Sequence, residues 1–302
     1  MGSEAVDAAA AGTWSLGDLA VNRVGFGAMR LPQLGQAFAP DAVPRDRDQA
    51  IAVLRSAVEL GVDHIDTAAF YFSRLRSANE LINRALAPYP DDLVIATKVG
   101  PHRDLDGEWL PQATPRQLRG QVEENLRQLG RDHLDLVNLR LAGPDPIGEH
   151  FGALAELRDA GLIRHLGLSN ARPEHLAEAR AIAPVVCVQN AYGLGYRPRQ
   201  DRLLRACGEQ GVAFVPFFAI AGAGREAGAA GGGEHDEVLA IAREHGVTPV
   251  RVRLAWALAR GPHVLVIPGT GSTEHLVDNI AAGALRLTGD DLARLEAVHR
   301  PA

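Results

Sequence analysis

Short apolar runs alternate eight times with longer segments of helical period, and that repeat narrows the fold more than any other feature. Runs at 24–27, 62–66, 93–98, 134–140, 163–169, 185–189, 212–217 and 264–267 precede helical segments at 47–60, 77–86, 115–129, 147–160, 173–183, 199–210, 236–246 and 273–281. Eight strand–helix units in roughly 260 residues predict an α/β chain folded as a (β/α)8 TIM barrel. Gly61, Gly130, Gly161, Gly211 and Gly246 each follow a helical segment, where a left-handed cap favours glycine. Alternation from 13 to 23 around Leu16-Gly17-Asp18-Leu19 predicts an N-terminal β-hairpin closing the bottom of the barrel. Segments 248–259 and 290–299 predict two helices beyond the eightfold pattern. Residues 1–12 then form a disordered tail and 13–302 a single barrel domain. The Gly- and Ala-rich stretch 221–233 reads either as a mobile loop over the strands' C-terminal face or as a linker without a role.

Composition excludes several function classes. Charge is −6 over 302 residues with no basic tract, which argues against a nucleic-acid partner. No apolar run reaches 18 residues, and the N-terminus lacks the layout of a signal peptide, so the cytoplasm is the expected compartment, without membrane attachment. Cys187 and Cys207 fit neither a disulfide framework nor a metal site. The 31 basic residues comprise 30 arginines and one lysine, Lys98. A lysine that survives such a bias points to a place where a compact ammonium works and a planar guanidinium does not.

In a barrel of this kind the reactive groups sit at the C-terminal ends of the strands. Those ends carry Asp66 and Tyr71, Lys98, Asn138 and Arg140, Ser169 and Asn170, Gln189, Phe217, and Pro268-Gly269-Thr270. A carboxylate, a phenol and an ammonium on neighbouring strands form a proton-transfer set, because an ammonium beside a phenol lowers its pKa from about 10. The same spacing also suits a buried ion pair beside a core tyrosine.

The residue strings resemble those of the aldo-keto reductase superfamily. Gly61-Val-Asp-His-Ile-Asp66-Thr-Ala-Ala-Phe-Tyr71 is similar to its Asp–Tyr signature and Ala96-Thr97-Lys98 to its lysine strand. Arg164-His-Leu-Gly167-Leu-Ser169-Asn170 is similar to its fifth-strand motif, and Ile267-Pro-Gly-Thr270 with Asn279 to its cofactor-phosphate segment. The resemblance spans about residues 13–300 and implies a nicotinamide-dependent carbonyl reductase. It implies Tyr71 as the general acid, Lys98 as its tuning cation and Asp66 as the group that orients Lys98 beside the cofactor. Ser169, Asn170 and Gln189 would bind the carboxamide, and Phe217 would stack on the ring. Gly27, Ala28 and Met29 would line the floor, with Phe218, Ala219 and Ile220 continuing the cofactor wall. Pro268, Gly269, Thr270, Ser272, His275 and Asn279 would meet the adenosine end. Phe70, Tyr71, Trp109 and Asn138 would line the substrate pocket, with Phe72 and Phe218 as further aromatic walls.

Two departures stand out. Where the family carries histidine at the end of the fourth strand, this chain reads Leu134-Asp-Leu-Val-Asn-Leu-Arg140. Arg140 is expected to polarise or orient a carbonyl, since a guanidinium cannot act as a neutral imidazole. Many relatives also carry a cation for the 2′-phosphate of NADP(H), whereas Gly269-Thr-Gly-Ser-Thr-Glu-His275 contains no arginine or lysine. The resemblance favours NADP(H), with NAD(H) as the alternative. Val186-Cys-Val-Gln-Asn190 and Val215-Pro-Phe-Phe218 are closer to a bacterial subgroup that includes pyridoxal reductases. A small carbonyl compound is thus the expected partner, with pyridoxal the first candidate. A reductase of specialised metabolism and a nicotinamide-binding regulatory subunit with little turnover are the competing readings. Oligomeric state is open.

Overall fold

A computed structural model of the chain describes residues 6–39, 42–194, 200–220 and 235–298. The hairpin comes first: β1 (Thr13–Leu16) and β2 (Leu19–Asn22) pair antiparallel. The barrel strands are β3 (Phe26–Gly27), β4 (His64–Asp66), β7 (Val94–Val99), β8 (Leu134–Arg140), β9 (Ile163–Ser169), β10 (Cys187–Ala191) and β11 (Ala213–Phe217). The small ribbon of β5 (Phe72–Ser73) and β6 (Arg76–Ser77) lies between β4 and β7. Helices α1 (Arg47–Glu59), α2 (Ala78–Leu86), α3 (Pro115–Leu129), α4 (Gly148–Asp159), α5 (Pro173–Ile182), α6 (Asp201–Glu209), α7 (Asp236–His245) and α9 (Thr273–Ala281) follow the eight strand positions. The two extra helices are α8 (Pro249–Leu258) and α10 (Gly289–Ala297).

Seven strands form one parallel sheet in the order β11-β10-β9-β8-β7-β4-β3. The eighth strand position, predicted at 264–267, joins the sheet's two edges by single parallel bridges, Phe214 to Val264 and Val24 to Val266. Backbone hydrogen bonds run along both sides, from Leu265 N to Phe214 O (3.0 Å) and from Gly25 N to Val266 O (2.9 Å). The Arg23 guanidinium clamps the lower end, donating to the carbonyls of Ala11, Leu258, Gly261 and Val264. The barrel is closed.

Alternation along each strand separates two cores. Val94, Ala96, Leu136, Cys187, Ala213, Val215 and Leu265 fill the interior, together with Leu16 and Val21 of the hairpin. Ile95, Val137, Leu139, Leu168, Val188 and Phe214 face the helices. Strands β7 and β8 are buried on both faces along almost their whole length, as strands covered by helices outside and packed inside are. All five predicted cap glycines adopt a left-handed φ.

Two expectations need correction. The tail is not disordered throughout: Ala8–Ala11 form a 3-10 turn capped by Asp7, and Ala8 is fully buried and bonded to Leu60 O. Residues 1–5 lie outside the described residues, as does the 221–233 stretch. The sixth barrel strand starts at Cys187, two residues later than its apolar run, because its register pairs Cys187 with Ala213 and Ala191 with Phe217. Among the described residues no helix is long and apolar enough to cross a membrane.

Candidate active site

The strand ends place Asp66 and Lys98 side by side in the mouth of the barrel, 4% and 2% exposed. Lys98 Nζ donates to Asp66 Oδ1 (2.6 Å) and to Thr67 O (3.0 Å). The other carboxylate oxygen accepts from Gln189 Nε2 across the barrel (2.7 Å). Below the pair, Thr67 donates to Asn79 of α2, while Thr97 and Asn79 both donate to Asn125 Oδ1 of α3. These buried bonds tie the ends of β4 and β7 to the helices behind them, and so fix where the carboxylate and ammonium point.

Tyr71 follows on the loop after β4. Its ring centroid is 4.8 Å from Lys98 Nζ, and the ring meets Phe70 edge-on at 5.1 Å. Burial pushes the phenol above its ordinary value. Lys98 and Arg140 pull downward and Asp66 pushes upward, but desolvation is the largest influence. Lys98 does lower the phenol's pKa, as its position beside the ring implies, but burial outweighs it and the net direction is upward. For Lys98 burial works against the charge, yet Asp66 and Tyr71 together hold its pKa above the usual lysine value.

Arg140 closes the far side. It donates to Ser169 Oγ (3.3 Å), and its guanidinium carbon lies 5.2 Å from the Phe217 ring centre. Gln112 holds its backbone carbonyl (2.8 Å).

Between these groups lies a cavity of ≈ 220 Å³. Of the residues singled out from sequence, Gly27, Met29, Asp66, Phe70, Tyr71, Lys98, Trp109, Arg140 and Gln189 line it. Phe217, Phe218, Ala219, Ile220, Pro268 and Gly269 complete that set. Ala28 and Ser169 are fully buried behind the wall. Asn170 has a left-handed φ of 60° and spends its side chain on Leu141 O, tying a loop. Thr270 Oγ1 accepts from Ser272 N and Ser272 caps α9 through His275 N, while Asn279 is buried on that helix. Thr270, Ser272, His275 and Asn279 do not line the cavity.

Asn138 is a correction. It was expected in the pocket, but it is 1% exposed and absent from the cavity wall. Alternation sets it one level below Arg140, and its register partners are Lys98 and Gly167. Glycine is required at 167 because a Cβ there would overlap Asn138 Oδ1. Phe72 also misses the cavity: it stacks on Arg103, whose guanidinium carbon is 4.6 Å from its ring centre.

The sequence reading missed Phe38, Arg30, Pro216, Leu254 and Ile267, all on the wall. It also missed Arg103, which donates to the carbonyls of Phe38, Phe72 and Gly107 and so knots three loops around the aromatic side of the pocket. Phe38 meets Trp109 edge-on at 5.3 Å and Tyr71 at 5.8 Å. No local pattern marks these residues, since their partners are distant in the chain. Arg103 and Trp109 both lie on the loop 100–111 that follows β7.

Comparison with known proteins places this geometry in context. The model of the Aldo/keto reductase family matches residues 23–300. Pyridoxine 4-dehydrogenase of Escherichia coli strain K12 is 44% identical over 295 residues, covering 95% of this chain and 98% of that protein. An aldo-keto reductase of Klebsiella pneumoniae, solved in complex with NADPH, superposes with a TM-score of 0.77 at 29% identity, covering 94% of this chain and 93% of its own. A glycerol dehydrogenase of Gluconobacter oxydans shares the fold at TM-score 0.79 and 22% identity, with 95% of each chain covered.

Proposed function

The chain belongs to the aldo/keto reductase family, and from that premise we propose that it reduces an aromatic aldehyde, pyridoxal first, to the alcohol with NADPH. The observation that carries this reading is the Tyr71–Lys98–Asp66 cluster opening onto an aromatic-walled cavity of ≈ 220 Å³. Phe38, Phe70 and Trp109 give that cavity a flat-ring character. The identity with pyridoxine 4-dehydrogenase supports the choice of substrate.

The residues present suit a nicotinamide. Among the described residues Gln189 Oε1 is a buried acceptor without a hydrogen-bond partner, as a carboxamide N–H requires. Gln189 would hold that end, Phe217 would stack on the ring, and the Gly269–Asn279 segment would take the adenosine end. NADPH supplies the hydride when bound. Tyr71 gives its phenolic proton to the carbonyl oxygen as the carbon is reduced, so that aldehyde, hydride and proton sum to the alcohol. Lys98 stabilises the phenolate left behind, and Asp66 holds Lys98 in place. Arg140 donates a hydrogen bond to the same oxygen, taking the orienting share of the family's histidine without its proton shuttle.

Absorbance at 340 nm tests the reading, with NADPH and NADH each paired with pyridoxal and a panel of other carbonyls. Rapid NADPH oxidation confined to pyridoxal supports it. Equal rates on unrelated ketones point to a reductase of specialised metabolism, and a single slow turnover of bound NADPH points to a sensor. Arg140→Gln lowers kcat on the accepted aldehyde about 100-fold and leaves NADPH affinity unchanged. An unaltered kcat in steady-state kinetics removes Arg140 from the reaction.

A further inference from the structure

The segment 269–275 contains no cation, yet one lies against it. Arg45 comes from the loop joining β3 to α1, and its guanidinium packs directly on Gly271. A Cβ at position 271 would fall among Cζ, Nη1 and Nε of that side chain, so glycine is what admits it. The loop is braced where Arg45 leaves it: Arg45 N donates to Pro32 O, Leu34 N to Val43 O, and Gln33 bridges Pro44. Arg45 Nε donates to Arg30 O (3.2 Å), and Arg30 lines the cavity together with Gly269.

The surroundings of Arg45 leave its charge unanswered. Among the described residues no carboxylate pairs with it. Burial first, and Arg30 second, both work against its protonated form. Arg45 is half-buried, so water screens its charge only in part and an anion on the facing segment would be drawn to it. The hydroxyls of Thr270, Ser272 and Thr273 and the first amides of α9 stand on the same segment.

We propose that Arg45, reaching over Gly271 from the opposite loop, is the cation that binds the 2′-phosphate of NADP(H) and sets preference over NAD(H). The assignment rests on the NADPH reading above. A guanidinium fork matches a phosphate monoester, and an arginine delivered across the groove compensates for the missing cation in the strand-eight segment.

Equilibrium binding tests it independently of turnover, by fluorescence titration of NADPH, NADH and adenosine 2′,5′-bisphosphate. Arg45→Ala is expected to weaken NADPH and the bisphosphate about 10- to 100-fold and to leave NADH within about twofold. Arg45→Lys keeps part of the preference. Gly271→Ala retains the charge but displaces the guanidinium, and lowers the NADPH-to-NADH ratio in the same direction. The salt dependence of NADPH binding flattens toward that of NADH in Arg45→Ala. If the unaltered protein binds both cofactors equally, the NADPH reading itself fails. If it prefers NADPH and Arg45→Ala keeps that preference, only the assignment of Arg45 is overturned. Equal weakening of both cofactors overturns it too, by showing a loop brace and not a phosphate ligand.

Discussion

Tyr71→Phe lowers kcat on the accepted aldehyde about 1000-fold while NADPH binds as before. The substitution removes one oxygen and keeps the ring that packs edge-on against Phe70. Stability should change little, because the oxygen's hydrogen-bonding neighbour is the Lys98 ammonium, which keeps its bonds to Asp66 and Thr67. The pH profile carries a second signature. A general acid acts from its protonated form, and burial holds this phenol above the usual tyrosine value. Reduction therefore stays level from about pH 6 to 9 and falls only on the alkaline side, above about 10. Steady-state rates across that range, with cofactor titrations on the same variant, check both parts. Retention of most activity in Tyr71→Phe would falsify the assigned acid.

Lys98→Met should be costly in two separable ways. Asp66 keeps Gln189 as a donor but loses the cation it is paired with while 4% exposed. Leaving a buried carboxylate uncompensated costs about 3–5 kcal/mol, visible as an early denaturant midpoint. Activity falls with it, since nothing then stabilises the phenolate. Adding Asp66→Asn separates the effects: the double variant regains most of the stability, because the lone charge is gone, and regains none of the rate. Lys98→Arg does not rescue either property, because the planar fork cannot occupy a site built for a point charge held by Asp66 and Thr67. The pH behaviour of the pair follows from the raised Lys98 pKa. Its contribution to stability is complete below the unfolded lysine value and is lost only as pH climbs through the higher folded value. Between about pH 6 and 9 it is constant.

The barrel was legible because its determinants are local. Helix α3 runs from Pro115 to Leu129 before the left-handed Gly130, and its ends coincide with those read from its helical period and the glycine after it. Strands β8 and β9 were bounded correctly because burial stops at their upper ends, after Leu139 in β8 and after Ser169 in β9. The reactive strand ends followed from the same repeat. What escaped depended on contacts between distant loops. Phe38 and Arg103 are 65 residues apart and meet through a carbonyl hydrogen bond. Arg45 meets Gly271 across the groove. For Tyr71, spacing shows that an ammonium is near and lowers the pKa, but not that burial outweighs it. Asn138 was placed one level too high because strand alternation gives the facing direction and not the depth.

The barrel resembles a strap fastened at one clasp. Seven strands share a continuous ladder, whereas the eighth touches its neighbours through single bridges and the Arg23 clamp at the lower end. Local opening by the least costly route runs along that seam, and amides there exchange with solvent sooner than those of β8. Its upper end is the Gly269–Ser272 stretch, against which Gly27 lies close enough that a Cβ on it would crowd Ile267 O at 2.6 Å. A ligand that engages both edges fastens the clasp, so occupancy and closure become one equilibrium. At 100 times its Kd such a ligand adds about 2.7 kcal/mol to the folded state. The nucleotide would then be a structural rivet as much as a reagent.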